Sequence, residues 1–291
     1  MDYIKKTNIY KEEGQYSLKL DVYLPEKAVK KMPVVIYLHG GALVMGSRSM
    51  VNKRELAAVL GNQMAYISAD YRLAPETKLM KIKEDIEDLI SWVREEGRDL
   101  YGFDPDRVVM LGKSAGGYLS LLSGTFQNKP DAIISFYGYG DILGDWYEKP
   151  SPHYLSHPLV TEEEAKKCLK SKIMTGSGFK SRWALYLYTR QTGSWAVTVS
   201  GCEKSETKTA LIPYCPIHNI GPEYPPTFLL HGSADTDVPV EQSSEMYDAL
   251  IKEGIKAKLL IIPQAGHGFD YGWRKAEQFA EIIDYMNKVL M

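Results

Sequence analysis

The stretch Gly112-Lys113-Ser114-Ala115-Gly116-Gly117 (GKSAGG) lies between Arg107-Val108-Val109-Met110-Leu111 and Tyr118-Leu119-Ser120-Leu121-Leu122. The first flank is a short apolar run of the kind that forms a buried strand, and the second reads as the start of a helix. One glycine would serve an ordinary connection. Three glycines packed around a single hydroxyl imply that something must approach that hydroxyl closely.

Moving outward, Val34 to Leu38, Tyr66 to Ala69, Val108 to Leu111, Ala132 to Phe136, Thr227 to His231 and Leu259 to Ile262 are short apolar runs bounded by glycine, proline or aspartate. Such runs are expected for parallel strands buried on both faces. Between them lie stretches of helical period. In Lys81 to Arg94 the residues Ile82, Ile86, Leu89, Ile90 and Val93 recur at steps of three and four, and Ala276, Phe279, Ala280, Ile283 and Met286 repeat the pattern near the C-terminus. The alternation predicts an α/β fold with a mostly parallel, doubly wound sheet and ligands at the C-terminal strand ends. Thr7 to Tyr23, with Gly14 at its middle, predicts an antiparallel hairpin at one edge. Residues 144–224 break the rhythm: they are rich in Trp, Tyr, Pro and Gly, with helix-like pieces around Thr161 to Lys170 and Lys180 to Gln191. They read as a mainly helical cap inserted into a core made of residues 1–143 and 225–291.

The chain has 291 residues, with 35 Lys plus Arg against 37 Asp plus Glu, so no basic field argues for nucleic acid or a membrane surface. No apolar run approaches the roughly 18 residues of a membrane span, and the N-terminus lacks a signal-peptide core. The expectation is a cytoplasmic protein acting on a small molecule. A homo-oligomer is compatible with it. Cys168, Cys202 and Cys215 are unclustered, which fits reduced thiols and offers no metal-ligand spacing. Neither metal nor cofactor is expected.

GKSAGG satisfies G-x-S-x-G in the strand–turn–helix setting that presents a serine as a nucleophile. Upstream, His39-Gly40-Gly41-Ala42-Leu43 ends a strand, and adjacent glycines can turn backbone N–H groups toward an anion. Together with the N–H of Ala115 they form a candidate oxyanion hole. Downstream, His231-Gly232-Ser233-Ala234-Asp235 supplies a carboxylate after another strand, and Ala265-Gly266-His267-Gly268-Phe269 supplies a histidine after the last one. Serine, aspartate and histidine thus follow one another in a chain order used for acyl transfer.

With HGGA, DYRLAPE (Asp70 to Glu76), GFDPDRV (Gly102 to Val108), GKSAGG, HGSADTDVP (His231 to Pro239) and GHGF (Gly266 to Phe269), the chain resembles the α/β-hydrolase superfamily. The resemblance is to its esterase branch of hormone-sensitive-lipase-like and acetyl-esterase-like enzymes, with features of prolyl-oligopeptidase-like and feruloyl-esterase-like relatives. It covers nearly everything except the cap. It implies Ser114 as nucleophile, His267 as general base and acid, Asp235 as the orienting carboxylate, and Gly40, Gly41 and Ala115 as oxyanion donors. The implied reaction is hydrolysis of small to medium carboxylic esters through an acyl-enzyme. An amidase, an arylformamidase or a peptidase could use the same triad, and a non-catalytic ligand-binding protein could use the same fold. Ala42 stands where the lipase-like branch has a third glycine, and Lys113 where an acidic residue is frequent.

Other candidates have plainer readings. His39 and His231 precede glycines at strand ends, where holding a loop is the expected job, and His153, His157 and His218 show no ligand spacing. Asp237 rivals Asp235, which is preferred for its offset in the family pattern. Arg72 is expected in a structural ion pair or a buried hydrogen bond rather than as a substrate clamp, and Lys113 in a structural role or a cap contact. The cap aromatics Trp146, Tyr147, Phe179, Trp183, Tyr186, Tyr188 and Trp195 are expected to divide between a hydrophobic substrate pocket and the cap's own small core, with Trp183 and Trp195 taken to line the pocket.

Overall fold

The computed structural model describes residues 2–14, 16–27, 31–273 and 276–290. Its eight strands are β1 (Tyr3–Glu13), β2 (Tyr16–Pro25), β3 (Met32–Leu38), β4 (Ala65–Ala69), β5 (Phe103–Lys113), β6 (Ala132–Phe136), β7 (Thr227–Gly232) and β8 (Ala257–Ile262). They form one sheet in the order β1-β2-β4-β3-β5-β6-β7-β8. From β4 through β8 every neighbouring pair is parallel, whereas β1 and β2 form an antiparallel hairpin joined antiparallel to β4. This is the expected architecture: β6 spans the expected run Ala132 to Phe136, and the other apolar runs are extended, by one residue in β4 and β7 and by more in β3, β5 and β8.

Helices α1 (Lys53–Gly61), α2 (Leu79–Arg94), α3 (Glu96–Tyr101) and α4 (Ala115–Ser123) follow β3, β4 and β5. The two-residue period of the strands divides the core between the faces of the sheet. Val34, Ile36 and Leu38 of β3 and Val108 and Met110 of β5 share one cluster with Ile82, Ile86 and Leu89 of α2. Val35, Tyr37, Val109 and Leu111 point the other way, against Leu56, Val59 and Leu60 of α1 and, from α12 (Ala280–Val289), Ile282, Ile283 and Met286. Of the C-terminal run that begins at Ala276, whose side chain is outside the described set, Phe279, Ile283 and Met286 are buried as the period requires, whereas Ala280 is exposed.

Between β6 and β7 the chain adds α5 (Asp145–Glu148), α6 (Pro152–Leu155), α7 (Glu162–Lys167), α8 (Phe179–Thr192), α9 (Trp195–Ser200) and α10 (Thr207–Leu211), before α11 (Glu241–Lys252) resumes the alternation. A reciprocal capping box between Thr161 and Glu164 starts α7. Leu185, Trp195, Val199 and Leu211 of this insertion join the same apolar cluster as β3 and α2. The buried Arg182–Glu76 ion pair, at 2.7 Å, and a reciprocal backbone pair between Gly46 and Ser177 tie the insertion to the loops after β4 and β3.

The elbow at β5 and α4 depends on the absence of side chains. A Cβ on Gly112 would stand 2.0 Å from the Gly116 carbonyl oxygen, and one on Gly116 would stand 2.1 Å from the Leu38 oxygen. Nothing in the backbone of a central strand can yield to that. Gly116→Ala should therefore lower stability by about 3 kcal/mol or prevent folding, by overpacking against rigid backbone. A urea midpoint equal to that of the parent protein would refute this account of the turn.

Candidate active site

The residues singled out in the sequence follow four different parallel strands and converge at their C-terminal ends. His39 to Ala42 follow β3, Ser114 follows β5, Asp235 follows β7 and His267 follows β8. Ser114 has φ 55° and ψ −119°, a conformation that L-residues rarely adopt. The strain projects its hydroxyl away from the sheet.

His267 Nε2 lies 3.1 Å from Ser114 Oγ, and Nδ1 lies 2.7 Å from Asp235 Oδ2. With the proton on Nδ1, Nε2 is free to accept from the serine. The Asp235 side chain is fully buried, and its Oδ1 accepts the backbone N–H groups of Asp237 and Val238 at 2.9 and 3.0 Å. Burial alone would raise its pKa, but hydrogen bonds from His231 and His267 hold the carboxyl well below the usual carboxylate range. It is ionised wherever the histidine is to be oriented.

His267 responds to the same charges. Burial disfavours its imidazolium, but Asp237 and then Asp235 outweigh that cost and raise its pKa above the ordinary 6.5. The Tyr137 ring meets the imidazole edge-on, with centroids 4.6 Å apart. His231 holds the neighbouring loop: Nδ1 pairs with Ser243 Oγ at 2.7 Å, while Nε2 reaches the Val238 oxygen at 3.0 Å and Asp235 Oδ2 at 3.3 Å.

The glycine turn is built for close approach. Gly41 has φ 118°, its oxygen accepts from Val44 and Met45 at 2.9 and 3.0 Å, and a Cβ there would meet the Met45 oxygen at 2.2 Å. Ala42 adopts φ 53°, so the residue standing in place of a third glycine keeps a left-handed backbone. Among the described residues, none accepts a hydrogen bond from the N–H of Gly40, Gly41 or Ala115. Ala115 also opens α4, whose N-terminal dipole favours an anion. His39 braces this turn. Its Nδ1 donates to the Gly40 oxygen at 2.8 Å, its ring stacks on Tyr71 at 4.2 Å, and burial drives its pKa down to about 4.

A pocket of about 330 Å³ opens over Ser114. Gly40, Gly41, Met45 and Met50 line it from one side, Tyr137, Asp237 and His267 from another, and His153, Tyr154, Phe179, Trp183 and Tyr186 of the insertion from above. Trp183 is one of these lining residues. Trp195, also taken to line the pocket, is instead fully buried, stacked on Tyr147 at 4.1 Å, and its indole N–H donates to the Ala42 oxygen at 2.9 Å. A buried indole needs an acceptor, and the one in reach is the carbonyl beneath the glycine turn. Trp195 supports that turn and lines no part of the pocket.

Arg72 pairs with Asp85, as a structural reading requires. Lys113 is buried too, but its partners are not in the insertion: Nζ lies 2.8 Å from Glu55 of α1 and 2.7 Å from Asp270, three residues beyond His267. Although burial opposes its charge, the two carboxylates hold its ammonium above the usual range. Tyr137 donates to the other oxygen of Asp270 at 2.5 Å. Asp270 and Tyr137 went unnoticed in the sequence; the available signal was a lysine at the end of an apolar strand, which must find charge partners elsewhere. Among the described residues, no group of three or more His, Cys, Asp or Glu could hold a metal ion, and no helix is long and apolar enough to cross a membrane.

Lys113→Met should leave Glu55 and Asp270 buried with one countercharge missing, which costs about 3 to 5 kcal/mol. A urea melt followed by circular dichroism checks this. An unchanged midpoint would show that the trio contributes nothing to the fold.

Comparison with known proteins places this geometry in a family. The BD-FAE family model matches residues 20–250. Among curated relatives, the chain is 28% identical over a 320-residue alignment to the non-reducing polyketide synthase ausA of Emericella nidulans, covering 91% of this chain and 13% of that protein. It is 27% identical to the methylphloroacetophenone synthase of Cladonia uncialis, over 94% of this chain and 13% of the other. The chain therefore spans only a small part of the curated relatives it matches. Among solved structures, a protein of unknown function from Staphylococcus aureus subsp. aureus Mu50 superposes with TM-score 0.78 at 23% identity, over 99% of this chain and 100% of that one. An α/β-hydrolase superfamily protein from Enterococcus faecalis gives 0.72 at 21% identity, over 99% and 98% of the two chains. Esterase 2 of Thermogutta terrifontis, in a form phosphorylated by paraoxon, gives 0.66 at 21% identity, over 98% and 93%. These structures share its fold, and the match over most of its length makes the chain a member of the BD-FAE family, built on the α/β-hydrolase fold.

Proposed function

We propose that the protein is a carboxylesterase-type serine hydrolase cleaving small to medium esters through an acyl-enzyme on Ser114. The observation that carries this reading is the continuous path from Ser114 Oγ through His267 to the buried Asp235, with contacts of 3.1 and 2.7 Å, opening into one pocket. Ser114 attacks the ester carbonyl and passes its proton to His267 Nε2, while Asp235 keeps Nδ1 protonated and stabilises the imidazolium. The carbonyl oxygen, now anionic, is held by the N–H groups of Gly40, Gly41 and Ala115, each worth about 3 to 4 kcal/mol in such a site. The alcohol leaves with the proton from Nε2. Water then enters, gives a proton to the same nitrogen and attacks the acyl-enzyme, and Nε2 returns that proton to Ser114 Oγ as the acid is released.

Substrate size follows from the insertion. The pocket is near the small end of ligand cavities, roughly 300–1,000 Å³, and much of its wall is aromatic. Each methylene that fits gains about 0.8 kcal/mol, and each one beyond its depth gains nothing. Short to medium acyl chains are therefore favoured over long ones, with Trp183 at the rim setting the limit.

Incubation with paraoxon or a fluorophosphonate should label Ser114, and Ser114→Ala should abolish both labelling and hydrolysis of p-nitrophenyl esters while leaving the far-ultraviolet spectrum unchanged. Across acyl lengths, kcat/KM should peak and then fall. Undiminished turnover by Ser114→Ala would end the proposal, and values rising out to long chains would end its account of the pocket.

The pH dependence has a fixed sign. Protonated His267 cannot accept from Ser114, so kcat/KM should fall about tenfold per unit on the acid side. Because its pKa is raised, the inflection should lie above the ordinary 6.5. A profile flat from pH 5 to 8 would exclude His267 as the base.

A further inference from the structure

The reaction just described leaves Arg190 of α8 unused, yet its side chain is only 3% exposed at the edge of the site. Its Nη1 donates to Asp237 Oδ1 at 2.9 Å and to Tyr186 Oη at 3.1 Å, and its Nη2 to the Asp237 and Trp146 backbone oxygens at 3.1 and 3.3 Å. The rings of Trp146, Tyr147 and Tyr154 surround the guanidinium at 5.4, 4.8 and 5.0 Å. Such an aromatic cage favours a delocalised cation that water cannot reach.

What this cation holds is a second carboxylate beside the imidazole. Asp237 Oδ1 is taken by Arg190 and the Tyr186 hydroxyl, while Oδ2 lies 3.5 Å from His267 Nε2. Ser114 Oγ is 3.1 Å from the same nitrogen. An uncompensated carboxylate would win that contest, since a charge-assisted bond from an imidazolium is about twice as strong as one to a neutral hydroxyl. The histidine would then stay protonated and turn from the serine. We propose that Arg190 is a positioning residue: by holding Asp237 through its side chain and its backbone carbonyl, it keeps the second carboxylate off Nε2, leaving His267 bonded to Asp235 on one side and Ser114 on the other.

This deepens the esterase reading and rests on it, and it gives the insertion a part in the chemistry as well as in the pocket wall. The charges on His267 agree with it, because Asp237 favours the imidazolium and Arg190 opposes it. The other groups at the ring are Asp235, backed by His231, and Tyr137, bonded to Asp270 and through it to Lys113 and Glu55, while His153 and Tyr186 of the insertion line the same pocket. Of these, His153 and His231 carry imidazoles of their own. Ring resonances resolved by NMR separate them from His267.

The test is an NMR titration of the His267 ring in Ser114→Ala protein, which needs no turnover, with Arg190→Gln and Asp237→Asn added singly. Arg190→Gln should raise the midpoint by about one pH unit and Asp237→Asn should lower it by about one, the usual effect of a charge at this range. Arg190→Lys should return it part of the way. In proteins that retain Ser114, the acid limb of kcat/KM should move in the same directions. Absent shifts, or shifts of one sign in both variants, would overturn the proposal. Should Arg190→Gln fail to fold, Asp237→Asn decides alone, and a midpoint that stays or rises overturns it. Failure of the esterase reading itself would show elsewhere, as hydrolysis that survives Ser114→Ala.

Discussion

The site depends on one steric constraint, the contact between the elbow and the end of β3. Ser114 can hold a left-handed backbone only because β5 stops against α4 with no atom to spare, Gly112 against the Gly116 carbonyl and Gly116 against those of Leu38 and His39. That closeness also sets the glycine turn beside the serine, since a Cβ on Gly40 would lie 2.9 Å from the Lys113 oxygen. Serine hydroxyl and turn are thereby held at one height above the sheet. The strain is tolerated because rigid central strands over-determine it.

Around that contact the charges are arranged in two tiers. Below it, Lys113 joins α1, the elbow and the segment after His267 through Glu55 and Asp270, so that the histidine loop is tied to the serine loop by buried ion pairs. Such pairs add little net stability compared with apolar packing, but breaking one is costly, which makes them suited to holding a geometry. Above it, Arg190 and Asp237 form a second buried pair at the roof. The imidazole lies between these tiers, with Asp235 behind it and the pocket in front.

The insertion is continuous with the core. Its apolar side chains share the cluster of β3 and α2, its Trp195 bonds the Ala42 carbonyl, and its Arg182 pairs with Glu76. Pocket shape and loop geometry are therefore coupled: a change beneath Trp195 acts on the turn that faces Ser114.

Local pattern determined much of this protein. Runs such as Val34 to Leu38 are apolar on both faces and can only be central strands, the period of Lys81 to Arg94 sets α2 on the sheet, and small residues around Ser114 mark a sharp turn. Ser114, His267 and an aspartate were expected together because each follows a strand, and parallel strands bring their C-terminal ends to one side; the preference for Asp235 over Asp237 came from the family resemblance. What only the tertiary structure decided are pairings across long separations. Lys113 finds Asp270 and Arg190 finds Asp237 through contacts that no local period records. Trp183 and Trp195, twelve positions apart in one aromatic-rich segment, are alike in sequence, yet one reaches the pocket and the other lies beneath the glycine turn. Their fates diverge because Gly193 ends α8 in a left-handed conformation and the chain changes direction before α9. Composition marks the segment as rich in aromatic rings, but which of them is buried is a tertiary matter: the Trp195 indole reaches the Ala42 carbonyl, whereas Trp183 stays partly exposed.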